Sequence, residues 1–341
     1  METQPEPMSQ PSREPMKTMP LVTRSLGGGT LMGLANLVPG ISGGTMLLAA
    51  GIYPQFIEAV SDVTRLRFRF RSLLVLGCVV AAAAIGILLL AGVLKGLVVH
   101  QRWIMYSLFI GLTLGGIPVV WKMVKPANAS VVVAGILSFL AMVGLAVLQA
   151  YQVVGTSNSS YVMLFLAGLA GASAMILPGL SGGYLLLLMG QYVPILSKID
   201  EFKEALKARD LAAALSPALS VMLPVGLGVI VGVAVVGNLL QWLLRKHRKP
   251  TLGVLLGLLV GSTVGLFPFQ VPVQPTVGMT IKGELVTAER LEAGEIDPED
   301  WPTEYFTPSV AQVGGSLALI ACGFAVTMGI AKVGGGKNGD V

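Results

Sequence analysis

The stretch LVPGISGG, Leu37 to Gly44, occurs again as ILPGLSGG, Ile176 to Gly183, 139 residues further on. The match runs outward: Gly51 and Tyr53 have counterparts in Gly190 and Tyr192, and Pro54 is answered one position late by Pro194. Each copy sits inside an apolar stretch of about the length that crosses a bilayer. The chain therefore reads as having two membrane segments that are broken in the middle, and broken alike. Pro39 and Pro178 lack a backbone donor and push the preceding residue out of helical geometry. Gly40 and Gly179 permit a sharp reversal. Ser42 and Ser181 then stand where an N-cap belongs, with Gly43, Gly44 and Gly182, Gly183 as the first turn of an outgoing helix.

Irregular backbone at membrane depth survives only when it is buried in protein or lines a polar cavity. A helix start stripped to glycine, with the positive end of its dipole facing such a cavity, suits an anion such as phosphate or carboxylate. The competing explanation is that the glycines only let helices pack closely. The duplicated Pro-Gly-x-Ser-Gly-Gly order favours a site, in the manner of the broken helices of transporters. Thr45 and Tyr184 occupy equivalent positions and bring hydroxyls towards the tips. Asn36, one turn before Pro39, is placed either to bond across the hairpin or to contact substrate. Tyr53 and Tyr192 read as interface anchors, and Asn238, Gln241 and Trp242 as an ordinary helix end.

Composition decides the class. With 54% hydrophobic and 12% charged residues, 43 glycines and a mean hydropathy of +0.77, the chain is an integral membrane protein. Residues 1–20 carry five prolines and read as a disordered tail without a secretory signal. Cys78 and Cys322 fall in apolar segments, and His100 and His247 are scattered, so no disulfide framework, metal site or cofactor is expected. No Asp or Glu occurs between Arg71 and Ile199, and none from Leu211 to Gly283. Cation carriers and proton relays place acids in the membrane; a chain without them favours an anion. Glu58 and Asp62 are the nearest carboxylates to the first motif's segment.

Taken in order, a first broken element spans 26–59 and is followed by the basic run Arg65 to Arg71, read as a cytoplasmic flank or a lipid contact. Apolar spans run from about Ser72 to Val98, Trp103 to Trp121 and Val131 to Ala150. The second broken element covers 161–196 and leads to a surface helix, Lys198 to Asp210. Spans follow at Pro217 to Leu240, Thr251 to Phe269 and Gln312 to Lys332. Gly111, Gly115 and Pro118 reappear as Gly261, Gly265 and Pro268, each 150 residues on, so the repeat extends beyond the motif. Lys95, His100 and Arg102 cluster beside Trp103, either snorkelling at the interface or capturing an anionic headgroup outside.

Charge then sets the topology. Three spans per half with re-entrant hairpins put Arg65 to Arg71, Lys122 and Lys125, and Arg245 to Lys249 on the cytoplasmic side, with the loop 270–310 outside. Between Gln270 and Pro308 that loop holds eight acids against two bases. Four spans per half would put two of the basic groups outside. The expected fold is an all-α integral membrane protein with an inverted-topology repeat: 21–150 and 151–333, each a re-entrant hairpin plus three transmembrane helices. The hairpin tips meet at the midplane. The termini, including 334–341, are expected in the cytoplasm of a cell bounded by this plasma membrane.

The paired Pro-Gly-[Ile/Leu]-Ser-Gly-Gly-[Thr/Tyr] motifs, each followed by Gly-x-Tyr, resemble those of the bacterial polyprenyl-phosphate transporters, long catalogued as a domain of unknown function. The resemblance covers about Leu21 to Val333. It implies a plasma-membrane translocase, not an enzyme, that returns undecaprenyl phosphate, the carrier lipid for cell-wall and surface glycans, from the outer to the inner leaflet. It carries the site to Pro39, Gly40, Ser42, Gly43, Gly44 and Thr45 with Pro178, Gly179, Ser181, Gly182, Gly183 and Tyr184. The second copy departs at Tyr184, so the half-sites need not be equivalent. Lys95 and Arg102 attract the phosphate outside in this scheme. The expected partners are the lipid and the membrane, with no nucleic acid; a homo-oligomer is compatible and the coupling ion is open. The rival classes are a lipid-phosphate enzyme, which needs a metal clamp or a base near the motifs, a carrier of a small soluble anion, and an assembly role.

Overall fold

A computed structural model describes residues 18–36, 41–151, 160–281, 284–296 and 301–333. Pro39 and Gly40, residues 1–17 of the tail and residues 334–341 lie outside the described residues. The first half opens with helix α1 (Thr18–Asn36), a seven-residue α2 (Gly43–Ala49) and α3 (Tyr53–Thr64). The second half repeats this plan as α8 (Tyr161–Ile176), a seven-residue α9 (Gly182–Leu188) and α10 (Tyr192–Lys207). Both short helices end alike. Ile52 N–H bonds the Leu47 carbonyl and Gln191 N–H that of Leu186, around Gly51 (φ +71) and Gly190 (φ +64). This is a Schellman stop, in which the left-handed residue is glycine because a Cβ is strained there.

The remaining helices of the first half are α4 (Phe70–His100), α5 (Arg102–Leu114), α6 (Ile117–Val124) and α7 (Ala129–Ala150). The second half supplies α11 (Leu211–Pro217), a π-helical turn at Ala218–Met222, α12 (Leu223–Lys246) and α13 (Arg248–Ser262). Pro217 and Pro224 flank that turn; each lacks the N–H that would continue a regular ladder, so the wider turn falls between them. The chain closes with α15 (Val310–Val333).

Among the described residues five helical stretches are long and apolar enough to cross a membrane, by length and composition: 70–90, 102–124, 129–148, 211–246 and 310–332. Six were expected from the sequence. The missing one is 251–269, where α13 stops after 15 residues. In the first half Gly115 and Gly116 bend the chain, and Pro118, at a helix start where no donor is needed, begins α6. In the second half the corresponding Gly265 and Pro268 lead instead into a strand.

That strand, β1 (Gln270–Pro272), begins a small β-containing loop on a chain that is otherwise helical among the described residues. After β2 (Thr280–Ile281), β3 (Glu284–Leu285) and α14 (Ala288–Glu292), β1 pairs antiparallel with β4 (Thr303–Tyr305), and β2 pairs with β3. Phe267, Phe269, Tyr305 and Phe306 stack edge-on at 5.5–5.9 Å and gather the loop's two ends over α5.

Packing follows the repeat. Helix α1 lies along α4, and α8 along α12. A methyl on Gly29 or Gly33 of α1 would sit 2.5 Å from the carbonyl oxygen of Val79 or Ala83. In the second half α12 supplies the small residues, Gly228 and Gly232, against Phe165 and Leu169. The last helix of each half crosses over: α7 packs on α13, and α15 on α5. Backbones touch at these crossings, as small residues permit between membrane helices. The core centres on the first short helix, all seven of whose residues are buried, with Ile52, Tyr53 and Ile57 at 0% exposure.

The crossing makes a stability prediction. A Cβ on Gly257 would lie 2.1 Å from the Gly135 oxygen and the Ser138 hydroxyl, whereas one on Gly144 meets nothing within 4 Å. Gly257→Ala is expected to cost about 1–3 kcal/mol through overpacking, and Gly144→Ala nothing. Thermal unfolding in detergent, followed by intrinsic fluorescence, checks the pair.

Candidate functional site

The second motif shows how its sequence bends. Leu177, restricted by Pro178, is extended at φ −76, ψ 127 and ends α8. Gly179 takes φ +86. Ser181 caps α9 in extended geometry, its Oγ accepting from Tyr184 N–H at 3.5 Å, a long bond. In the first motif Ser42 also occupies the N-cap position, at φ −101, ψ 127, but its side chain makes no cap bond.

The first motif's hydroxyls reach across to the second. Ser42 Oγ donates to the Leu177 carbonyl at 3.2 Å. Thr45 Oγ1 accepts from Gly179 N–H at 2.7 Å, and the Tyr53 hydroxyl donates to the Ile176 carbonyl at 2.8 Å. Gly44 makes the approach possible, since a Cβ there would lie 2.9 Å from the Ile176 oxygen. The two motifs are thus in direct contact. Tyr53 is no interface anchor: it is wholly buried, and its hydroxyl is spent on the end of α8.

The second motif faces space. A cavity of about 30 Å³, room for roughly two waters, is lined by Gly179, Ser181, Tyr184 and Ser262, with Met142 and Leu145 on the α7 side. Tyr184 is 8% exposed, and among the described residues its hydroxyl has no partner. Ser262 donates to Leu259 O at 2.9 Å and keeps its oxygen free to accept. Helices of seven residues bring little macrodipole, so the hydroxyls are the stronger polar feature. Nothing here titrates near neutrality, and among the described residues no three His, Cys, Asp or Glu side chains cluster. The arrangement can hold a polar head by hydrogen bonds; it offers no base.

The other predicted positions separate. Asn36 lies against Gly43, its side-chain oxygen 2.9 Å from where a Cβ would stand, which favours the contact across the hairpin. Gly182 and Gly183 are half-buried at the start of α9, and Pro178 is buried beneath it. Lys95 falls on α4, with its side chain outside the described residues. Arg102 starts α5, 7% exposed, with its guanidinium 5.8 Å from the centre of the Tyr106 ring. It lines a separate cavity of 280 Å³ with His100, Trp103, Gln270, Phe306 and Gln312. Gly33 touches Ala83, and α4 runs about 25 Å further to His100 at 1.5 Å per residue. Arg102 thus lies beyond the far end of α4, one turn before Tyr106, which packs with Ile41 and Met46 of the first motif segment; β1 of the acidic loop forms part of its cavity wall.

Sequence reasoning missed Ser262, although its neighbour Gly261 belongs to the 150-residue echo. It also took Asn238 and Gln241 for a plain helix end. Ser61 Oγ, with one hydrogen to give, lies within hydrogen-bond distance of both amides and ties α12 to α3, and Arg65 Nε donates to Asn238. Asp62 is satisfied by Ser72 at 2.7 Å and Arg69 at 3.9 Å, and Glu58 by Arg245 at 3.6 Å.

Paired interrupted helices in contact within a bundle of long apolar helices define a polytopic membrane protein of the transporter kind. Residues 32–281 match the undecaprenyl phosphate translocase-like family, and the chain belongs to it. It is 27% identical over 328 residues to the polyprenyl-phosphate transporter of Vibrio cholerae serotype O1, covering 93% of this chain and 98% of that protein. It is 32% identical over 187 residues to the polyprenyl-phosphate transporter of Staphylococcus aureus, covering 51% of this chain and 64% of that protein. No solved structure matches.

The contact between motifs is testable. Thr45→Val keeps the shape and removes the acceptor for Gly179 N–H, leaving a buried donor unsatisfied at about 1–3 kcal/mol. Its melting temperature is expected to fall, while Thr45→Ser stays near the native value.

Proposed function

We propose that this protein moves a polyprenyl phosphate, undecaprenyl phosphate in the first place, from the outer to the inner leaflet of the plasma membrane. The observation that carries the reading is the Tyr184 hydroxyl, buried without a partner in the cavity beside Ser181, Gly179 and Ser262. A buried hydroxyl without a bond is costly unless a ligand completes it. The family and the names of both relatives support the substrate class.

In this mechanism the phosphate oxygens accept from Ser181 and Tyr184, Ser262 adds a third donor once its hydroxyl turns from the Leu259 carbonyl, and the prenyl tail stays in lipid. Apolar side chains exposed along α4, α7 and α12, such as Leu88, Leu137 and Ile230, supply that lipid-facing surface. The cavity is too small for a phosphate, so the geometry corresponds to a closed state. Ser42, Thr45 and Tyr53 hold the motifs together there, and loading requires them to part. Gly43 begins the first motif's short helix, and Pro178, Gly182 and Gly183 give the second motif its bend. Arg102 and Lys95 collect the anion outside, and the basic ends of the helices favour its release inside.

The halves 21–150 and 151–333 are read as an inverted repeat whose hairpins enter from opposite sides. The reciprocal packing of α5 on α15 and α13 on α7 supports this, because each half lends the other its last helix. By the positive-inside rule the basic flanks support a cytoplasmic position for both termini.

The test reconstitutes the protein in proteoliposomes and follows labelled undecaprenyl phosphate between leaflets while assaying free phosphate. Movement without hydrolysis is predicted. Tyr184→Phe is expected to lower translocation about tenfold, equal to about 1.4 kcal/mol, at an unchanged or higher melting temperature. Phosphate release would point to an enzyme, and transport of soluble anions alone to a carrier of those.

A further inference from the structure

Arg24 of α1 stands apart from every site described so far. It is 5% exposed, and its guanidinium stays charged at any accessible pH. Among the described residues it donates one hydrogen bond, from Nη2 to the carbonyl of Ala331 near the end of α15, and its Nε has no partner. Among the described residues no carboxylate pairs with it. Buried charge in a membrane protein marks a function unless it is neutralised.

Its surroundings share the shortfall. A Cβ on Gly51 would lie 3.7 Å from Arg24 Nη1, so the side chain reaches the turn between α2 and α3. Ser25, next on α1, has a buried hydroxyl without a partner, and Gln55, one turn past Gly51, a buried amide oxygen without one. Rotating the Gln55 amide presents an N–H instead, so Ser25 and Gln55 each add a potential donor on the segments that Arg24 joins.

The position along the bundle is informative. Gly29 against Val79 and Gly33 against Ala83 set Arg24 towards the start of α4, the end that carries Arg65 to Arg71. Twelve residues separate it from Asn36, about 18 Å of helix. Arg102 lies beyond the other end of α4. Positive groups thus bracket an uncharged middle.

We propose that Arg24, helped by Ser25 and Gln55, is a second anion station that receives the phosphate monoester after it leaves the Ser181–Tyr184 cavity. The inference rests on the translocation reading for its direction, but not for its binding chemistry.

The test uses the full chain with Arg24→Gln, Arg24→Lys and Ser25→Ala. Glutamine keeps a donor for the Ala331 carbonyl and loses the charge. Its unliganded melting temperature should stay near native, while stabilisation by a prenyl monophosphate or by inorganic phosphate, and translocation in proteoliposomes, fall about tenfold or more. Lysine should restore most of both. Loss with the prenyl compound alone assigns the station to the lipid, and loss with both to phosphate of either origin. Should Arg24→Gln fail to fold, Ser25→Ala decides by the same readout, since deleting an unbonded hydroxyl costs the fold nothing. Native-like phosphate stabilisation in Arg24→Gln overturns the station, as does a lowered unliganded melting temperature with stabilisation intact. An inert wild type whose phosphate stabilisation still needs Arg24 would overturn translocation and leave the station standing.

Discussion

A helix that stops at membrane depth leaves carbonyls with no partner, and no water is at hand to take them. Here α8 stops at Ile176, and the groups it abandons are met from the other half of the chain. Tyr53 serves the Ile176 carbonyl, Ser42 that of Leu177, and Thr45 the N–H of Gly179. Much else follows from that debt. Residues 43–50 must be buried to deliver those hydroxyls, Gly44 must lack a side chain to let the backbones meet, and the core must form around the first motif.

The same arrangement makes the duplicated motif asymmetric. Its first copy has turned its hydroxyls to structural work, while its second keeps Tyr184 unbonded beside a cavity. The difference between Thr45 and Tyr184, the one departure among the motif's polar positions, is the difference between a side chain short enough to bond Gly179 and one that spans further. On the proposed function a duplicated element has divided its roles: one copy would close the path and the other would offer the ligand its groups. Contact between the copies would then tie the two roles together, because the bonds that satisfy α8 would have to part for a phosphate to pass.

Local features were legible in the sequence. Proline before glycine predicted the extended Leu177 and the left-handed Gly179, and serine predicted both N-cap positions. The 150-residue echo anticipated that α5 and α13 are counterparts. What stayed hidden depends on partners far away. Ser42 and Leu177 are 135 positions apart, and Ser61 and Gln241 are 180; no local pattern announces such pairs. Tyr53 looked like an interfacial tyrosine because its neighbours are apolar, and only the fold shows which carbonyl needs it. The end of α13 was missed because Pro268 repeats Pro118 in spacing, yet one proline begins a helix and the other leads to a strand.

The most direct test of this account is to fix the two motifs to each other. In a chain with Cys78 and Cys322 replaced, Ser42→Cys and Leu177→Cys are joined by a short thiol cross-linker, and lipid movement is measured before and after the link is cleaved. Arrest on linking and recovery on cleavage are the predicted results. Undiminished movement in fully linked protein would contradict the claim that the motifs separate for the phosphate to pass.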